Sequence, residues 1–373
     1  MSPSRTQAMH AMKTRVRFGP KPIKQMQIAD YVRSRLAQGK WAPGQLLPHR
    51  TWFIDKFKTT HHTVQKAFNQ LRDEKFVVAV PHLGTRAAET LPFANRFLIL
   101  CYGVPEAPSI LTQAILKSAE AIAGRTEARF EIAYALDLEF DDPAHIAALD
   151  AVRSHRYAGV FLEALPAHKR KDSIVSIDDV PMAGIFAPNP IATGSLLTPL
   201  IDSAAGATTT DLTPFFVECR QRGLKRIAVF EGFLHSTDRE DEIRRQAQAH
   251  GLECGPYHVH GSDTSLPALS LARRIFRMAL APEFPWQPEA IIVGDDNFLP
   301  LVEDVLREHY GQDGAHRFFV TSHGNLPCLP KTDLPVVFHG LNVEKTLETL
   351  IVYAEACTRG GRRDASRPRL VRF

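Results

Sequence analysis

Side chains capable of chemistry are scattered along this 373-residue chain rather than gathered in one motif. No GxGxxG follows an apolar run, and GxxxxGK[ST], GxSxG and HExxH are all missing, which removes the usual devices of nucleotide binding, serine hydrolysis and zinc proteolysis. Of the 16 histidines, His61 and His62 are adjacent, so a helix turns them about 100° apart, whereas His258 and His260 share one face of a strand-like segment. That second pair has the spacing to hold a metal ion or to be hydrogen-bonded into a sheet, and the second role is the one adopted. Asp295-Asp296 directly follows the apolar run 290–294. Two roles suit it: a cap for the next helix, or carboxylates at the C-terminal end of a strand, where open α/β sheets face their ligand crevice. No catalytic residue, metal site or cofactor is expected.

The elements that must position these groups fall into two textures. From Ile23, apolar residues Met26, Ile28, Tyr31, Val32 and Leu36 recur at helical spacing up to Gly39; a short helix over 51–57 and a third over 60–74, capped by Thr60, follow. Residues 76–80 and 85–87 then read as a hairpin around Pro81-His82-Leu83-Gly84. Three helices and a two-stranded ribbon outline a winged helix-turn-helix over 22–88, after a basic arm at 1–21. Beyond a linker at 89–96, apolar runs at 97–101, 130–134, 158–162, 181–186, 224–230, 290–294, 318–321 and 336–339 alternate with helical stretches. Strands without polar alternation are buried on both faces and need helical crossovers, so 97–357 is expected to be a parallel-sheet α/β domain with two lobes, closed by a basic tail at 358–373.

Charge follows the same division. The chain carries 45 Lys/Arg against 41 Asp/Glu, yet residues 1–90 hold 16 against 5 and residues 91–357 hold 23 against 35. A basic segment of domain size beside an acidic remainder is a nucleic-acid footprint. The cysteines Cys101, Cys219, Cys254, Cys328 and Cys357 are odd in number and lack a CxxC pair, which argues against a disulfide framework or structural zinc. No run of about 18 uncharged apolar residues is present, so no membrane partner and a cytoplasmic location are expected.

Two resemblances sharpen this reading. Gly39-x-x-x-Pro43-Gly44-x-x-Leu47-Pro48, Phe57, Thr63-Val64-x-x-Ala67-Phe68-x-x-Leu71-x-x-Glu74-Lys75-Phe76-Val77 and Gly84-Thr85 resemble the winged-helix domain of GntR transcription regulators. The resemblance implies that the third helix enters the DNA major groove and the hairpin tip meets the minor groove. It implies a DNA-contacting set of Arg50, Thr51, Thr60, His61, His62, Thr63, Gln65, Lys66, Asn69, His82 and Gly84. His61, His62, Gln65, Lys66 and Asn69 lie opposite Val64, Phe68 and Leu71 and supply donors and acceptors. The family carries arginines where this chain has Thr51 and His61, and a basic wing residue where it has Leu83; Arg50, one position from the first, is the candidate substitute. The operator is therefore expected to differ from the family's usual one.

The second resemblance, over 97–357, is to the effector domain of LacI/GalR regulators, which share the type I periplasmic-binding-protein fold. It rests on Gly223-x-x-Arg226-Ile227-Ala228-Val229-Phe230, Arg239 twelve residues before Gly251, Ile291-Ile292-Val293-Gly294-Asp295-Asp296, and Val336-Val337-Phe338 before a helix over 342–357. It implies ligand contacts from Arg239, which can fork two hydroxyls or a carboxylate, and from Asp295 and Asp296. Ser322, His323 and Asn325 stand where the family has an Asp that caps ligand hydroxyls, so a simple hexose is not implied. Tyr102, Phe186 and Phe233 are aromatic candidates to stack on a sugar ring, and serve equally as core. Together the resemblances imply a homodimeric, non-enzymatic DNA-binding transcription regulator, a repressor in the usual case. Its partners would be a double-stranded operator and a small sugar-like effector. The alternative is a cytoplasmic small-molecule binding protein with a degenerate DNA-binding domain.

Overall fold

The computed structural model describes residues 23–136, 142–164, 180–186, 212–232, 237–262 and 266–358. The basic arm, nearly all of the basic tail, and Phe233 lie outside them. Two compact units are present, the first made of residues 23–36 and 41–92 and the second of residues 37–40 and those from Phe93 onward.

In the first unit, α1 (Lys24–Ala37), α2 (Arg50–Phe57) and α3 (His61–Asp73) precede a hairpin of β1 (Val77–Val80) and β2 (Gly84–Ala87). Thr60 caps α3, its Oγ1 accepting from the Thr63 amide at 3.3 Å. The turn between α2 and α3 is three residues, and Lys58 takes a left-handed conformation, φ 48°, to end α2. Ile28, Val32, Phe53, Val64, Ala67, Phe68 and Leu71 are buried between the helices. Ile23 and Met26, part of the apolar periodicity, are instead exposed: the first turn of α1 projects beyond the core. Rings carry much of the packing, with Phe53 and Phe68 edge to face at 5.0 Å and Tyr31 against Trp41, Trp52 and Phe57. Buried Arg33 is held by Asp30 at 2.7 Å and by Glu74, its Nε donating at 3.0 Å, so α1 and the end of α3 are tied by charge.

The second unit holds two parallel sheets. The four-stranded sheet has the order β4-β3-β5-β6, from β3 (Arg96–Cys101), β4 (Arg129–Tyr134), β5 (Gly159–Ala164) and β6 (Met182–Phe186). Helices α4 (Ile110–Arg125) and α5 (Pro143–Arg153) make crossovers, capped by Ser109 and Asp142. The five-stranded sheet has the order β11-β10-β9-β7-β8. Its strands are β7 (Arg226–Gly232), β8 (Glu253–Ser262), β9 (Ala290–Val293), β10 (Phe319–Leu326) and β11 (Val336–Asn342). They alternate with α6 (Thr213–Gln221), α7 (Thr237–Ala249), α8 (Leu266–Ala279) and α9 (Leu299–Ala315), the last entered through a 3-10 turn at Asp296–Phe298. Apolar clusters cover both faces of this sheet, one around Phe230, Phe276, Phe298 and Val302, the other around Phe215, Phe216, Val229 and Ile292. That double burial is why the strands read as unbroken apolar runs.

The last helix among the described residues, α10 (Val343–Thr358), leaves the five-stranded sheet and packs on α4, β5 and β6 of the four-stranded one. Arg125 of α4 pairs with Glu344 at 2.8 Å and with Glu348. Gly159 marks the tightest point of this packing: a Cβ there would fall 2.8 Å from that of Ala354.

Candidate functional site

Two constellations carry the polar chemistry, one in each unit. On α3, the inner residues Val64, Ala67, Phe68 and Leu71 leave His61, His62 and Lys66 exposed and Gln65 and Asn69 half-exposed. Gln65 Nε2 donates to Asn69 Oδ1 at 2.9 Å, so the two carboxamides are coupled one helical turn apart. Thr51 is exposed at the start of α2, where its amide is accepted by His49. Thr60 and Thr63 are linked Oγ1 to Oγ1 at 3.1 Å at the N-terminus of α3. In the wing, His82 sits exposed with φ 61° and Gly84 with φ 109°, values that a tight turn demands and that favour glycine.

Arg50 points elsewhere. Its guanidinium lies 3.5 Å over the Phe68 ring and donates from Nη2 to Thr85 Oγ1 at 2.9 Å; burial lowers its pKa to about 10. The position read as a substitute DNA donor therefore ties the wing to α3 instead. The contact joins residues 35 apart in sequence, which local spacing cannot reveal.

In the second unit the polar groups gather at the C-terminal ends of the strands, as open α/β sheets require of a ligand site. Asp296, after β9, is buried and accepts from Asn325 Nδ2 at 2.8 Å; Asn325 Oδ1 in turn lies 3.3 Å from His323 Nε2. Burial, and then the charge of Asp295, push the Asp296 carboxyl up to about 8. Asp295 itself caps the 3-10 turn, accepting from the Asn297 amide at 2.9 Å. Of the roles considered for the acidic pair, Asp295 takes that of the cap, while Asp296 joins a buried network with Asn325 at the strand end.

Arg239, on α7, is forked onto Glu231 at the end of β7, Nε to Oε2 at 3.1 Å and Nη2 to Oε1 at 2.8 Å. The fork expected to meet a ligand is held by a protein carboxylate in this structure. In the other sheet, buried Glu163 at the end of β5 accepts from the Tyr102 amide at 2.7 Å, Ser109 Oγ at 3.1 Å and Thr112 Oγ1 at 2.6 Å. Tyr102 thus adjoins this carboxylate through its backbone, its side chain half-buried. Phe186 ends β6. Glu163 and Glu231 escaped the sequence reading, although each is the one acid closing an apolar strand run, Phe161-Leu162-Glu163 and Val229-Phe230-Glu231. An acid there cannot be a surface residue of a doubly covered strand, and that was the available signal.

His258 and His260 are each hydrogen-bonded to a backbone carbonyl, that of Ala279 and that of Tyr257. His258 Nε2 donates to the Ala279 carbonyl at 2.9 Å with its ring 4.3 Å from that of Trp286, and burial lowers its pKa to about 4. His260 stacks over Phe230 at 6.2 Å. Among the described residues, no group of three or more His, Cys, Asp or Glu is placed to hold a metal ion. Among the same residues, no helix is long and apolar enough to cross a membrane.

Comparison with known proteins agrees with this division. Residues 24–86 match the model of a family described as bacterial regulatory proteins, gntR family. No curated protein matches the chain. A LacI-family transcriptional regulator from Lactobacillus casei with bound sucrose superposes with a TM-score of 0.51 at 16% identity, covering 74% of this chain and 97% of its own. The transcription regulator CcpA of Lactococcus lactis gives 0.54 at 13% identity over 75% and 97%, and a LacI-family regulatory protein from Chloroflexus aggregans 0.54 at 15% over 74% and 95%. At such identities the likeness is one of fold. Residues 24–86 are therefore a gntR-type helix-turn-helix domain, and the chain that follows has the fold of LacI-family regulators.

Proposed function

We propose that this protein is a transcription regulator, acting as a homodimer, whose hold on a double-stranded operator is set by a small polar ligand at the C-terminal strand ends of the second unit. The observation that carries this reading is the presence, on one chain, of a gntR-type DNA-binding domain and a LacI-type fold whose strand ends gather Asp296, Asn325 and His323. A carboxyl, a carboxamide and an imidazole are donors and acceptors for hydroxyl groups, and the Lactobacillus casei regulator of the same fold holds sucrose, which supports a sugar or sugar derivative. Ligand would favour one arrangement of the two sheets and so reset the separation of two recognition helices in a dimer.

A mobility-shift assay on the DNA upstream of the protein's own gene tests this reading. Binding should fall steeply with salt, disappear when residues 1–90 are removed, and change when sugars, sugar acids or polyols are added. Unchanged binding after that truncation overturns the reading. Ligand binding without any binding to DNA would instead support a stand-alone small-molecule binding protein.

A further inference from the structure

We propose that Gln65 reads the adenine of an A·T base pair in each operator half-site, and that Asn69 is the positioning residue that sets its amide; this rests on the regulator reading above.

Guanine shows two acceptors in the major groove, so it is read by two donors, as an arginine fork supplies; adenine shows a donor beside an acceptor, which a carboxamide matches. The outer faces of α2 and α3 offer little to guanine. Arg50 is committed to Phe68 and Thr85, Thr51 and His61 carry no guanidinium, and Arg72, near the C-terminal end of α3, faces Asp73 at 3.4 Å. Lys66 is exposed, but its ammonium is a point charge with rotatable donors and lacks the fixed fork of a guanidinium.

Gln65 differs in being held. One of its two amide hydrogens goes to Asn69 Oδ1 at 2.9 Å. A primary amide that donates the hydrogen remote from its own oxygen keeps the other hydrogen and Oε1 together on one edge, an acceptor beside a donor. That edge complements adenine N6–H and N7. With Asn69 as its acceptor the Gln65 amide presents that edge, and part of the ordering of its long side chain is accomplished before DNA arrives.

Selection of bound sequences from a random duplex library, with the full-length chain, tests this. The parent should enrich one adenine at symmetric positions in two half-sites, with discrimination over guanine of roughly 5- to 150-fold. Gln65→Arg should move the preference at that position, and at no other, to guanine. Asn69→Ala should keep adenine first but cut the discrimination, and Asn69→Asp, which retains the acceptor, should restore the discrimination at lower overall affinity. An enriched motif that Gln65→Arg leaves unaltered overturns this assignment while sparing the regulator reading. Absence of any enriched motif overturns both. Equal discrimination in the parent and Asn69→Ala removes the positioning role.

Discussion

Arg239 and Glu231 meet in a two-point fork, at 2.8 and 3.1 Å, with side chains only 10% and 2% exposed. Removing one partner of so buried a pair leaves a charge without its main counterion. Glu231→Ala should therefore cost about 3–5 kcal/mol, while Glu231→Leu with Arg239→Met should cost less than either single change. Thermal melting of the full-length variants checks the order. The pair also sets a condition on ligands, because an anion gains the Nε–Nη2 edge of the guanidinium only by displacing Glu231. Glu231→Gln is expected to raise the stabilisation given by sugar acids relative to neutral polyols in the same melts; an unchanged ratio would show that Arg239 does not face the ligand.

Asp296 gives the second unit a pH signature. Its pKa in the folded protein, about 8, lies above the ordinary 3.8, so between those values the native state retains a proton that the unfolded chain has lost. The stabilising share is complete below about pH 4 and drains away as pH rises through 8. Asp296→Asn preserves an acceptor for Asn325 and removes the titration. It should flatten the decline in melting temperature between pH 4 and 8 and exceed the parent above pH 8; a parental slope in the variant would refute the assignment.

Arg50 and Lys66 should separate two kinds of loss. Arg50→Ala gives up both the Phe68 ring contact and the Thr85 hydrogen bond, and should destabilise the first unit by about 1–2 kcal/mol, with reduced DNA binding as a consequence of a loosened wing. Lys66→Ala should leave the melting temperature in place, weaken all duplexes alike and lower the salt slope by about one. Melting curves and salt titrations on the same preparations tell these apart.

Gly159 is where α10 presses on the four-stranded sheet. Gly159→Ala should cost about 1–3 kcal/mol, because the added carbon meets Ala354 at 2.8 Å. Ala354→Gly should cost about 1 kcal/mol alone, through helix propensity. The double variant should be more stable than the sum of the two predicts, and strict additivity in denaturant melts would place the strain elsewhere.

Local signals carried far in this chain. Thr60 caps α3 where a threonine before an amphipathic run should, and the apolar runs at the centre of the five-stranded sheet became strands buried under apolar clusters on both faces. Two elements were less legible: β8, interrupted by Gly255 and Pro256, breaks the apolar pattern, and α8 begins beyond residues whose polar mix resembles a loop. The site was legible only in part. Asp296, His323 and Asn325, found separately, form one network, whereas the partners of Arg239 and Arg50 depend on which strand ends and which wing residue the fold brings near. Spacing along a chain says where a guanidinium is, and only the assembled sheet says what neutralises it.

The return of α10 to the four-stranded sheet has a bearing on how the protein is made. Strands β3 to β6 leave the ribosome before the five-stranded sheet, yet one flank of their sheet is covered by residues 343–358, which follow both sheets in the chain. That sheet must wait, with Leu347, Leu350 and Ala354 still to arrive, while the whole five-stranded sheet emerges and folds. The four-stranded sheet is thus finished by a helix that follows both sheets in the chain, so a chain cut short before residue 343 leaves that flank uncovered.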